Sequence, residues 1–134
     1  MEEKVAFRDD FVGLQKTLGI HTVEASQERV VMEMDIVPRV QQHMGILHGG
    51  ASAALAESAA WTGSSLRELD NEIPVVTEIN VSQLRTRSSG KARATARLLT
   101  RRSDSDVWEI RIHDEMGEDV AVARCTVCLR DTAT

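Results

Sequence analysis

The chain has 134 residues, 42% of them hydrophobic, with a net charge of −5, so a single domain over 1–134 is expected, with little length left for a second. The negative balance argues against nucleic acid as the principal partner, because phosphate contacts need a positive field over a sizeable surface. No run approaches the roughly 20 apolar residues of a membrane span, and Met1-Glu2-Glu3-Lys4 lacks the charged-then-apolar pattern of a signal peptide, so the cytoplasm is the expected location.

Phe7, Phe11, Leu14 and Leu18 recur at helical spacing and predict a short amphipathic helix over Phe7 to Leu18, ended by Gly19. Ile20 to Ala25 and Arg29 to Ile36 are rich in Val, alternate apolar with polar, and flank Ser26-Gln27-Glu28, which reads as a hairpin. After Pro38 comes a loop, Gln41-Gln42-His43-Met44-Gly45. From Gly49 to Leu69 the residues are mostly Ala, Ser, Leu and Glu with no Pro, which predicts one long helix. Its many small residues, among them Ala51, Ser52, Ala53, Ala56, Ser58 and Ala60, make it narrow enough for backbone to approach closely.

Beyond Pro74 four strands are expected, Val75 to Leu84, Lys91 to Arg102, Val107 to Asp114 and Asp119 to Arg130, with turns at Ser88-Ser89-Gly90, 103–106 and 115–118. In the strand from Lys91, the small or apolar Ala92, Ala94, Ala96 and Leu98 form one face, built for close packing. Between Ile79 and Ser103 there are seven basic residues, Arg85, Arg87, Lys91, Arg93, Arg97, Arg101 and Arg102, and no acidic one. A local anion site fits this run; a solvated strand face fits it better. Cys125 and Cys128 form a C-x-x-C, but positions three apart on a strand point to opposite sides, so neither a redox pair nor a zinc site is expected. Strands joined mainly by hairpins and one long helix give an α+β domain, a curved antiparallel sheet wrapped around a central helix.

The segment from Gln42 to Glu57 carries the most chemistry. Gly49 and Gly50 open the long helix and leave its first N–H groups uncovered at the positive end of the helix dipole, a donor site for a carbonyl whose oxygen gains charge. Glu57 lies seven residues after Gly50, on the same face, among Ala53, Ala54, Ala56 and Ala60. A carboxylate buried there without a partner would be costly unless it served as base or nucleophile. Each residue also has a plainer reading. Glu57 fits a solvated helix former, His48 a helix cap, and Gln42 a loop amide. His21, His43 and His113 read as surface or strand residues, and His43, His48 and Glu57 lack the i, i+4 spacing of a zinc motif. No metal is expected.

The ordered set Gln42-His43-Met44-Gly45-Ile46-Leu47-His48-Gly49-Gly50 through Glu57, with Val76-Thr77-Glu78-Ile79-Asn80, Trp108-Glu109-Ile110 and Asp114-Glu115-Met116-Gly117, resembles the hotdog-fold thioesterases of the hydroxybenzoyl-CoA, phenylacetate-pathway and dihydroxynaphthoyl-CoA kind, from about Ile20 onward. The resemblance implies that Gln42 hydrogen-bonds the thioester carbonyl of an acyl-CoA or acyl-carrier substrate, that the Gly49 N–H polarises it and Gly50 adjoins it, and that His48 orients the site. Glu57 would attack the carbonyl or activate water. It further implies no cofactor other than the CoA of the substrate, a site shared between subunits, and a homotetramer assembled as a dimer of dimers.

Two positions depart from that pattern. Trp61 stands where relatives carry Ser or Thr one turn after the catalytic Glu, and Gln83 where they often carry His. Trp61 is expected either to wall the acyl pocket or to pack in the core or interface, with Ser58, Thr62 and Ser64 as replacements for the missing hydroxyl. Arg85, Arg87 or Lys91, near Ser88 and Ser89, are expected to meet the CoA phosphates. A hotdog hydratase or dehydratase and a non-catalytic acyl-CoA-binding module are the competing readings, set lower because Gln42, His48 and Glu57 fit the thioesterase arrangement together.

Overall fold

A helix made of small residues buries little apolar area per side chain, so it is stabilised only if a sheet comes close beneath it. The computed structural model, which describes residues 12–132, shows that arrangement. In chain order the elements are α1 (Leu14–Leu18), β1 (His21–Ala25), β2 (Arg29–Asp35), a 3₁₀ turn (Pro38–Val40), α2 (Gly49–Ser65), β3 (Glu72–Gln83), β4 (Lys91–Arg101), β5 (Ser105–His113) and β6 (Asp119–Asp131). The strands form one antiparallel sheet in the order β1-β2-β4-β5-β6-β3. The chain therefore crosses by way of α2 from β2 to the far edge, and α2 lies across the concave face. This is the hotdog architecture that the resemblance implied.

The packing follows side-chain size. Ala92, Ala94 and Ala96 of β4 and Ala121 of β6 are fully buried and let α2 settle against the sheet. The volume at either side is filled by Met32, Met34, Ile110, Ile112 and Trp108, also fully buried. Gly63 is required by this contact: a Cβ there would stand 2.3 Å from Trp108 Cη2. Cys125, Val127 and Leu129 face α2 while Cys128 turns to the other side, so the two free thiols stay apart as strand alternation demands.

Three boundaries differ from those expected. The long helix stops at Ser65 rather than Leu69, because Leu66 and Arg67 donate to Gly63 and Ser64 carbonyls in tightened i→i−3 turns. The strand expected after Pro74 begins at Glu72 and includes the proline; β3 is an edge strand, where a missing N–H leaves no ladder bond unmade. Of the predicted first helix only Leu14–Leu18 is seen, ended by Gly19 in the left-handed conformation (φ 71°). Phe7 and Phe11 lie outside the described residues.

Candidate active site

The loop before α2 is fastened at both ends. Gln41 Nε2 donates to the Ser88 carbonyl (2.9 Å), the Leu47 N–H to the Arg87 carbonyl (2.7 Å) and the His48 N–H to Val40 (2.8 Å). Between them Gln42 closes a small turn. Its carbonyl accepts from Gly45 (2.9 Å), and its side-chain oxygen accepts from the Met44 N–H. That leaves the Gln42 side-chain NH2 without an acceptor among the described residues, a donor free for an outside carbonyl.

His48 is the N-cap of α2: its Nδ1 accepts from the Gly50 N–H at 2.8 Å. Acceptance at Nδ1 assigns the neutral ring's proton to Nε2. The expectation that both glycine N–H groups stand uncovered is thereby corrected. Gly50 is occupied by the His48 ring, which a Cβ on Gly50 would meet at 3.0 Å, whereas no described residue accepts from Gly49. The helix start presents one free N–H. Gln83 braces it from β3, donating Nε2 to the Gly49 carbonyl (3.2 Å) and accepting from the Ser52 hydroxyl (3.0 Å). The same side chain lies 3.1 Å from where a Gly49 Cβ would be, so any larger residue there would have to push the Gln83 amide aside.

Glu57 is exposed in the single chain, on the α2 face that also carries Gly50, Ala53, Ala54 and Trp61. The condition of burial is not met within the described residues, and the exposure fits the plainer reading of a solvated helix position. Among the described residues Glu57 has no hydrogen-bond or ion-pair partner. It borders a cavity of about 230 Å³ between α2 and the α1 segment, shared with Ser58 and Trp61. Its charge also reaches inward. Burial first, and the Glu57 charge second, push the Cys125 thiol up to about 12.

Trp61 is half-buried, with its ring in the cavity wall and its Nε1 donating to the Pro74 carbonyl at 2.9 Å. It thus joins the helix to the edge strand and walls the cavity at once. Truncation should enlarge the cavity. Trp61→Ala is therefore expected to shift the kcat/KM ranking across an acyl-CoA series toward bulkier groups in an intact assembly. An unchanged ranking with lowered stability would make Trp61 structural only.

Of the proposed hydroxyls, Ser58 alone adjoins Glu57, and its proton goes to the Ala54 carbonyl (2.7 Å). Thr62 is buried against Met32 Sδ (3.8 Å). Ser64 belongs to a second buried group that the sequence reading missed. It donates to Asp106 Oδ2 (2.6 Å) and accepts from Trp108 Nε1 (2.9 Å), while Arg67 Nη1 and Arg101 Nε each reach Asp106 Oδ1 at 2.9 Å. Neither Thr62 nor Ser64 is placed to hold substrate.

Most of the basic run is compensated locally. Arg87 meets Asp114 at 2.9 Å and also Glu118, Lys91 meets Asp35 at 3.1 Å, and Arg93 meets Glu33. Arg85 donates to the Asp119 carbonyl (2.6 Å), with Glu118 at 3.4 Å. Ser88 and Ser89 are exposed in the β3–β4 turn. The run is mainly a charge-paired strand face, and Arg85, nearly half exposed, is its most available guanidinium near the site.

The loop, the helix start and the unpaired glutamate are thus arrayed along α2, and the comparisons show the family. The chain matches the Thioesterase superfamily over residues 44–121 and belongs to that family. It is 35% identical to the 1,4-dihydroxy-2-naphthoyl-CoA hydrolase of Listeria monocytogenes over 89% of this chain and 97% of that one. It is 38% identical to the proofreading thioesterase EntH of Klebsiella pneumoniae over 87% and 81%. A solved Staphylococcus aureus protein superposes with a TM-score of 0.85 at 31% identity, covering 89% of this chain and 99% of the other. That protein was crystallised with a glutamate replaced, and again, as a thioesterase enzyme, with a glutamine replaced fifteen positions earlier. Gln42 and Glu57 stand at the same separation.

Proposed function

We propose that the protein is an acyl-CoA thioesterase whose site is completed between two chains. The observation that carries this is the division of the machinery along α2. Its start offers an uncovered Gly49 N–H, the loop before it a free Gln42 amide, and its middle an unpartnered Glu57 carboxylate that borders a cavity. With about 1.5 Å of rise per residue, Gly49 and Glu57 of one helix stand about 12 Å apart along the axis, too far for one thioester carbonyl to touch both. A second copy related by a two-fold axis brings the donors of one chain to the carboxylate of the other and makes two equivalent sites. The 12-residue edge strand β3, unpaired on its outer side, with Ile73 and Val75 partly exposed, supports such an assembly.

In the reaction, Gly49 N–H and the Gln42 amide hold the thioester carbonyl and take up the negative charge that develops on its oxygen. Glu57 adds to the carbonyl carbon, or takes a proton from the water that adds. The C–S bond then breaks and CoA leaves as the thiol, taking the proton that Glu57 removed from water. Where Glu57 itself adds, the proton comes from the water that hydrolyses the resulting acyl–Glu57 anhydride to the free acid and restores the carboxylate. His48 acts indirectly, since its ring fixes the first turn that aims the Gly49 N–H.

Purified protein incubated with short-chain, long-chain and aryl acyl-CoAs should release free CoA thiol from at least one. A hydratase or a binding module would release none, and that outcome would sink the proposal. Sharing of the site makes a sharper forecast. Coexpressed Glu57→Gln and Gln42→Ala chains, each inactive alone, should regain up to about a quarter of wild-type activity, because each mixed dimer contains one intact site. No recovery in verified mixed dimers would place the site within one chain.

A further inference from the structure

The cavity beside Glu57 has two walls of different origin. One is α2, through Ala54, Glu57, Ser58 and Trp61; the other is the segment leading into β1, through Leu14, Gln15 and Ile20. At about 230 Å³ it exceeds the roughly 150 Å³ that takes a benzene ring in an apolar protein cavity. It therefore has room for a ring or short chain plus one substituent. The two larger depressions, around Arg111 and around Lys91, lie on the opposite face of the sheet, among paired charges. Of these three, the cavity beside Glu57 is the one that can receive an acyl group attached to the reacting carbon.

The polar groups that face this cavity can be taken in turn. The Glu57 carboxylate is used in the chemistry. The Ser58 proton is committed to the Ala54 carbonyl and the Trp61 N–H to the Pro74 carbonyl. What remains is the Gln15 side-chain amide. It is half-buried and has no hydrogen-bond partner among the described residues. Its backbone is held in place, because the Gln15 carbonyl accepts from Ile20 N–H (3.0 Å) around the left-handed Gly19, and Ile20 is buried in the core.

Resting on the thioesterase reading, we infer that Gln15 is a specificity-determining residue: its amide selects acyl groups that carry a hydroxyl, oxo or amide substituent remote from the thioester. A carboxamide both donates and accepts, so it pairs with any of these. An acyl group lacking the substituent would cover the amide and leave it unpaired. Selection thus comes from α1, outside the residues that do the chemistry.

The test compares kcat/KM for hexanoyl-CoA against 6-hydroxyhexanoyl-CoA, and for benzoyl-CoA against its 2-, 3- and 4-hydroxy isomers, in wild type and in Gln15→Leu. Wild type should favour the hydroxylated member of at least one set by about ten-fold. Gln15→Leu should erase that ratio, by slowing the hydroxylated substrate, whose hydroxyl loses its partner, and by speeding the plain one. Should the Leu variant fold poorly, Gln15→Ala gives the same reading. A ratio unchanged by either substitution, or no preference in wild type, overturns the role of Gln15 while leaving hydrolysis established. Failure to hydrolyse any member would instead overturn the thioesterase reading, and this inference with it.

Discussion

Glu57→Gln should lower kcat/KM for the best acyl-CoA by roughly 10²–10⁴-fold, the span typical of removing a positioned acid–base or nucleophilic carboxylate. The substitution keeps the side chain's volume and removes only its charge. Because Glu57 is exposed in the chain and unpartnered among the described residues, the change should move stability by no more than about 0.5 kcal/mol. Sedimentation and thermal unfolding indistinguishable from wild type, beside an assay showing the loss, would assign the effect to chemistry. Near-normal turnover in Glu57→Gln would remove Glu57 from the mechanism.

The largest effect on stability is expected at Asp106, far from that chemistry. Its carboxylate is 1% exposed and receives the Ser64 hydroxyl and the guanidinium groups of Arg67 and Arg101. Cutting it to Ala leaves two largely buried cations without their counter-charge and leaves the Ser64 hydroxyl at the end of α2 with Trp108 Nε1 as its remaining partner on the sheet. Removal of one partner from such a buried pair costs about 3–5 kcal/mol, or about 10–20 °C in Tm for a domain of this size. A denaturation midpoint corresponding to less than about 1 kcal/mol of loss would show that water replaces the carboxylate without penalty.

These two residues differ in how far the sequence announced them. Glu57 sits in the motif that carries the family resemblance, and its exposure agrees with the plainer reading of a solvated helix former. No described segment of the chain covers Glu57, and periodicity reports only burial within one copy. Asp106 stood in the inward parity of Asp106, Trp108, Ile110 and Ile112, an acid in an apolar register, and that conflict was the available signal. The Ala92, Ala94, Ala96 face was legible because alternation and size both pointed inward. The end of α2 was not, since Leu66 to Leu69 contain no breaker and the stop is made by carbonyls at Gly63 and Ser64. His48 illustrates a third case. Capping and site orientation looked like rival roles in the sequence, yet one hydrogen bond to Gly50 serves the first and sets the geometry for the second.

The placement of Cys125 beneath Glu57 sets which atom can react. A thiolate at that point would capture an acyl group by exchange with the incoming thioester, and the enzyme would label itself instead of turning over. Burial, and after it the neighbouring carboxylate, push the thiol up to about 12, which keeps it protonated at neutral pH. Sulfur, intrinsically the better nucleophile, is thereby silenced, by burial first and by the neighbouring charge second, and does not compete with oxygen for an acyl group.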